Sequence, residues 1–82
     1  MSEYIPIQCG LHDSYELACI RNLVDKVIWR GDDGQIHRHK LRFLTIEIKD
    51  GGEYLVAADQ DGIPFHIRLD RIESMPPGHQ KA

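Results

Sequence analysis

Cysteine and histidine residues form the first group of side chains that could do chemistry. Cys9, His12, His37 and His39 offer the sulfur and nitrogen ligands that zinc prefers. Their spacing matches no paired-ligand signature, and His37 and His39 alternate as residues of a strand would. We therefore predict structural cysteines with no metal and no cofactor.

Asp13 and Glu16 form the second group. Their spacing is that of a helix capping box, in which Asp13 accepts a backbone N–H and Glu16 reaches back to the N–H of the cap. A capping carboxylate keeps lone pairs that can accept from an arginine of a partner. Two roles, helix capping and partner binding, stay open and can coexist.

A basic alternation is the third group. Arg38, Lys40 and Arg42 would project from one face of a strand, with Trp29 and Phe43 near enough in sequence to stack on RNA bases. The alternative is a solvated face whose cations discourage edge pairing. We favour the second interpretation, because both aromatic residues fall where the core pattern puts them. Direct binding of nucleic acid is expected to be weak or absent.

Catalytic signals are weak. Ser2, Ser14 and Ser74 lie in the predicted arm, helix start and tail, and none sits on a strained strand-to-helix turn. No glycine-rich loop of the phosphate-binding kind occurs, because Gly51 and Gly52 read as a hairpin turn. We predict that the chain is not an enzyme.

The elements that would position these residues begin with one helix. An extended arm over residues 4–7 ends at Gly10, and a helix follows over about residues 14–22, with Asn22 as its terminator. The 3, 4 spacing of apolar residues predicts its buried face, formed by Leu17, Ile20 and Val24.

Short strands follow the helix. Turns are predicted at residues 31–34, 49–52 and 59–62, each containing an Asp-Gly or Gly-Gly pair. The apolar alternation slips near Phe43 and Leu44, which predicts a bulge. About five short strands are too few for a sandwich, so we expect one bent sheet closed into a small barrel. Residues 1–75 would form this single domain and residues 76–82 a flexible tail.

Charge is distributed unevenly along the 82 residues. The net charge is −3 over residues 1–25, +3 over residues 26–49 and −4 over residues 50–74. A net acidic chain is a poor general nucleic-acid binder, but its acidic ends suit a basic protein surface. The N-terminus lacks a signal-peptide pattern and no apolar run could span a membrane, so we expect a cytoplasmic protein.

Four short motifs, in order, resemble the Rho-binding antiterminator family, Rof. They are Tyr4-Ile5-Pro6-Ile7-Gln8-Cys9, Asp13-Ser14-Tyr15-Glu16-Leu17-Ala18-Cys19, Glu53-Tyr54-Leu55-Val56 and Arg68-Leu69-Asp70-Arg71-Ile72. The resemblance spans residues 4–73, with a poor match over residues 38–49. It implies a mainly β fold with one N-terminal α-helix, built as an Sm-like barrel related to the RNA chaperone Hfq.

The resemblance also implies a partner. It is the bacterial Rho hexamer, bound at the site where Rho first grips RNA, so that termination is inhibited. The implied contacts are Asp13, Ser14 and Glu16, with His12 and Tyr15 as rim contacts or partial core. Tyr4 and Cys9 are expected to fasten the arm to the barrel, Asp70 to pair with Arg71, and the free protein to be monomeric.

Overall fold

One helix precedes four strands in the computed structural model, which describes residue 7 and residues 9–77. The helix α1 spans Cys9–Ile20. The strands are β1 (Val24–Arg30), β2 (Ile36–Lys49), β3 (Gly52–Ala58) and β4 (Pro64–Arg68), and a 3₁₀ turn follows at Leu69–Arg71. The prediction of a mainly β fold with one N-terminal helix is confirmed.

All four strands form one antiparallel sheet in the order β1-β2-β3-β4. The three predicted turns connect them. Gly34, Gly51 and Gly62 have positive φ angles of 81°, 78° and 81°, a conformation that glycine adopts without steric cost. These connections were predictable because turn chemistry is local in the sequence.

The sheet curls around its core but does not close fully. β2 is a single strand of 14 residues, and its register shifts between Phe43 and Thr45, which confirms the predicted bulge. Beyond β4 the chain meets β1 through an isolated bridge, Trp29 to Ile72, and through hydrogen bonds to Ile28, but no fifth strand forms among the described residues. The expectation of about five short strands in a closed barrel is therefore wrong among the described residues. The fold there is a half-barrel of four strands.

α1 packs on the concave side of this sheet through a different face from the predicted one. Tyr15, Ala18 and Cys19 are its buried residues, with Leu11 packed against the core. The Tyr15 ring stacks on Phe43, with 6.4 Å between centroids. Leu17, Ile20 and Val24, the predicted core face, are 46%, 77% and 45% exposed, so that prediction is wrong.

The helix also begins earlier than predicted. Gly10 lies in its first turn and does not break the chain, and Asp13 is inside the helix, so the predicted capping box is not formed. Packing of Leu11 on the core holds this additional turn. The predicted end is confirmed, because Asn22 has a φ of 49° and the N–H of Leu23 donates to the carbonyl of Ala18.

Ion pairs fix the chain after β4. Arg68 donates from Nη2 to Asp70 Oδ2 at 2.7 Å and from Nε to Oδ1 at 3.1 Å, and the side chains are only 15% and 7% exposed. Arg71 instead pairs with Asp32. The predicted pair between Asp70 and Arg71 is therefore wrong.

Hydrogen bonds hold the segment after the 3₁₀ turn against β1. The N–H groups of Glu73 and Ser74 donate to the carbonyl of Ile28, and the Ser74 hydroxyl accepts from the N–H of Ile28. Pro76, the first residue of the predicted tail, is buried. Residues 78–82 of that tail lie outside the described residues.

Candidate functional site

The outward face of α1 combines acidic and apolar side chains. Asp13, Glu16, Leu17 and Ile20 recur at the i, i+3, i+4, i+7 spacing that places residues along one helical face. All four are exposed. We call these four residues the helix stripe. Because Leu17 and Ile20 do not pack on the core, the stripe offers apolar area directly beside two carboxylates.

A histidine links the stripe to the sheet. His12 Nδ1 lies 3.2 Å from Glu16 Oε1, and His12 Nε2 lies 2.5 Å from Glu53 Oε2. His12 and Glu53 are each 24% exposed in their side chains, and Glu16 is 53% exposed. The imidazole thus connects carboxylates of α1 and β3, and it brings Glu53 to the edge of the helix stripe.

Sequence reasoning missed Glu53 as a site residue. It is 41 positions from His12 along the chain, and no spacing rule joins two such positions. It was visible only as the first residue of a family motif. The fold supplies the missing information, because β3 lies beside the half of β2 on which the helix rests.

The other two predicted contacts lie deeper. The Ser14 hydroxyl donates to the carbonyl of Gly10 at 3.1 Å within the helix. Tyr15 is 1% exposed, burial raises its pKa, and its hydroxyl faces the Ser74 carbonyl at 3.5 Å. Of the two interpretations left open for Tyr15, rim contact or partial core, this burial supports the core: the side chain holds α1 on the sheet and is not accessible to a partner.

The cysteine and histidine groups do not converge on one site. His37 and His39 each lie 5.4 Å from Trp29 between ring centroids, in the half of β2 that pairs with β1. His12 instead reaches Glu53, whose register partner is Ile48 near the other end of β2.

The two cysteines differ in their exposure to solvent. Cys19 is buried and Cys9 is exposed, which corrects the expectation that Cys9 fastens the arm. Tyr4, its expected companion, lies outside the described residues.

Potential ligand atoms of His12, Asp13 and Glu16 lie within 4.8 Å of one another. Exposed acidic groups gather in this way without an ion. The same three side chains form one polar cluster on the outer side of α1.

The basic alternation lies elsewhere on the sheet. Arg38, Lys40 and Arg42 are exposed on the convex face of β2, while Leu41 and Phe43 between and after them are buried. Strand pairing adds Lys26, which is directly opposite Lys40.

The aromatic residues considered for RNA stacking do not accompany these cations. Trp29 is 9% exposed and Phe43 is 1% exposed. Phe65 packs partly buried against the same core. The interpretation that these rings belong to the core is confirmed.

Comparison with known proteins agrees with the sequence motifs. No helix among the described residues is both long and apolar enough to cross a membrane. No curated protein matched the chain. The family model described as a modulator of Rho-dependent transcription termination (ROF) matches residues 6–82, nearly the whole chain. The chain therefore belongs to the family of modulators of Rho-dependent transcription termination.

Proposed function

We propose that this chain binds Rho through the helix stripe and blocks the site at which Rho first holds RNA. The observation that carries the proposal is the exposed row of Asp13, Glu16, Leu17 and Ile20. A site on Rho that binds RNA must present positive charge to phosphates. Carboxylates on a rigid helix would compete for that charge, so that a transcript could not load while the protein is bound.

The two kinds of side chain in the stripe have different tasks in this proposal. Asp13 and Glu16 speed encounter and set orientation, because charge complementarity acts mainly on association. Leu17 and Ile20 lose water on contact and slow dissociation, as apolar anchors do at the centre of an interface. Glu53 extends the acidic area, and His12 limits the freedom of both glutamates.

The assembly and location follow from the same proposal. One chain would bind each subunit of the Rho hexamer, and the free protein would be a monomer. Its action would take place in the bacterial cytoplasm, where Rho meets nascent RNA. We also infer an Sm-like relationship for the half-barrel, supported by the order of an N-terminal helix, a long bent second strand and a 3₁₀ turn before the bridge to β1.

Charge reversal tests the role of the two acidic residues of the helix stripe. The double variant Asp13→Lys/Glu16→Lys should bind Rho at least about tenfold more weakly, because two attractive contacts become repulsive. A control with the same change in net charge is Glu47→Lys/Asp61→Lys, at two exposed acids outside the stripe. It should retain affinity. Equal loss in both folded variants would attribute binding to net charge and remove the helix stripe as the site.

A transcription assay tests the consequence. A template with a Rho-dependent terminator should give more full-length RNA when the protein is added in excess, and the Asp13→Lys/Glu16→Lys variant should restore termination. Unchanged termination in the presence of excess wild-type protein would refute the proposal.

A further inference from the structure

Four cations without an ion pair among the described residues share one face of the β1–β2 pair. Lys26 lies opposite Lys40, while Arg38 and Arg42 are opposite Ile28 and Val24 in the same register. We call Lys26, Arg38, Lys40 and Arg42 the basic face. All four side chains are exposed, and no ion pair involving them occurs among the described residues.

In contrast to the expectation from sequence and net charge, we infer that the basic face binds the phosphate backbone of single-stranded nucleic acid. The direct pairing of Lys26 with Lys40 is the first reason. Like charges in register across two strands are destabilising, and no ion pair involves either lysine among the described residues. The nearest acid in sequence, Asp25, accepts a hydrogen bond from the backbone N–H of Lys26 and not from its ammonium group. A polyanion would remove this repulsion on binding.

The spacing of the cations is the second reason. Alternate residues of a strand are about 6.6 Å apart, so Arg38, Lys40 and Arg42 form a row of evenly spaced charges. Successive phosphates of an extended single strand are separated on the same scale. Lys26 adds a second contact beside the middle of that row.

The surroundings favour phosphate over an acidic protein. The exposed apolar neighbours Val24, Ile36 and Leu44 are 45%, 39% and 40% exposed, and no tryptophan, tyrosine or phenylalanine side chain is exposed on this face within residues 9–77. Such a face lacks the exposed aromatic anchors that dominate many protein interfaces. It would contact the phosphates of a nucleic acid without sequence-specific contacts to the bases.

Other charges around the face define its limits. Arg30 continues the row on β1, but it pairs with Glu73 at 3.2 Å. Lys40 and Arg42 line a groove together with the turn that carries Asp59 and Asp61. Asp59 accepts two N–H groups of its own turn, from Asp61 and Ile63, at 2.9 Å each. These acids would repel a nucleic-acid strand that approached the turn and keep it over the four cations.

The basic face and the helix stripe are separate. Buried Leu41 and Phe43 point from β2 towards the side on which α1 packs, whereas Lys40 and Arg42 point away. The chain could thus hold RNA and a protein partner together, and this inference does not depend on binding to Rho.

A salt titration tests the inference with the protein alone. Binding of a fluorescent oligouridylate RNA is measured by anisotropy between about 50 and 200 mM salt. Four phosphate contacts predict a slope of about −3 in log affinity against log salt, since each contributes about 0.7 on a single strand. This corresponds to about a fiftyfold loss over that range.

Matched variants locate the site. Lys26→Gln/Lys40→Gln should weaken binding at least tenfold at about 50 mM salt and halve the slope to about −1.4. Lys49→Gln removes one charge farther along β2 and should leave the slope unchanged, as should Asp13→Lys/Glu16→Lys on the helix. The inference is overturned if the RNA does not bind at low salt, if Lys49→Gln weakens binding as much, or if polyglutamate competes better than RNA.

Discussion

His12 Nε2 and Glu53 Oε2 lie 2.5 Å apart and join the first half of α1 to β3. The other ring nitrogen faces Glu16 at 3.2 Å. One imidazole therefore orients two carboxylates that belong to different elements of the fold. In the proposed complex this arrangement lowers the entropy that must be lost when the glutamates meet the cations of Rho.

Removing this imidazole should weaken the complex. We expect His12→Ala to lower the affinity for Rho about three- to tenfold, equivalent to about 0.7 to 1.4 kcal/mol, because both glutamates gain freedom. Calorimetric titration measures the change. His66→Ala, at an exposed histidine of β4, is the control and should stay within about twofold. Unchanged or higher affinity for His12→Ala would contradict the positioning role.

The exposed isoleucines Ile20 and Ile48 separate binding from stability. Both are 77% exposed, one in the helix stripe and one on β2. Replacing either with serine should change the free energy of unfolding by less than about 0.5 kcal/mol, because neither side chain packs in the core. Only Ile20→Ser should speed dissociation from Rho, which surface plasmon resonance measures directly. Equal effects of the two variants would argue against apolar contact at the stripe.

Asn22 holds the end of α1 against the bulge of β2. Its side-chain amide donates to the carbonyls of Cys19 and Phe43, at 3.1 Å each, and its φ is 49°. Asn22→Ala should destabilise the fold by about 1 to 2 kcal/mol, through backbone strain and two lost hydrogen bonds.

Asn22→Gly separates the two causes, since glycine adopts the positive φ freely but cannot make the side-chain bonds. It should fall between wild type and Asn22→Ala in a urea unfolding series. A glycine variant no more stable than the alanine variant would show that backbone strain contributes little.

Cys19 makes stability dependent on alkaline pH. Burial raises the pKa of its thiol from 9.0 to about 11, and the negative charge of Glu16 adds to the rise. The unfolded chain therefore loses this proton at lower pH than the folded chain does. The stabilisation is complete below about pH 9 and is lost as the pH rises towards 11, by about 2 kcal/mol.

Unfolding in urea at several pH values measures this loss. Cys19→Ala should flatten the decline between pH 9 and 11. Some decline should persist above about pH 10, because burial also raises the pKa of Tyr15. An identical pH profile for Cys19→Ala and wild type would show that this thiol does not titrate with folding.

Local rules in the sequence predicted part of this fold and failed at identifiable places. The Asp-Gly turns and the bulge after Phe43 were predictable because turn residues and alternation act over a few neighbours. Asp13 and Glu16 also satisfy a local rule, that of a helix capping box. The helix nevertheless begins before Asp13, because Leu11 packs against the core. A local pattern cannot anticipate that tertiary contact.

The candidate surfaces were less accessible to sequence reasoning. Asp13 and Glu16 were identifiable from charge and family motif. Contacts between distant positions were not, because Glu53 approaches His12 only after the sheet forms, and Lys26 opposes Lys40 only in the observed register of β1 and β2. The exposure of Leu17 and Ile20 was not predictable either, because their spacing is also that of a helix face buried in the core.

Displacement of RNA from Rho tests the central claim most directly. A labelled single-stranded RNA, bound to Rho without ATP, is titrated with the Lys26→Gln/Lys40→Gln variant, so that RNA binding by the basic face does not contribute. We predict complete release of the RNA as the variant saturates Rho, and no release by the same variant carrying Asp13→Lys/Glu16→Lys. If Rho binds the protein and retains the RNA with undiminished affinity, the account of competition at the RNA site is wrong.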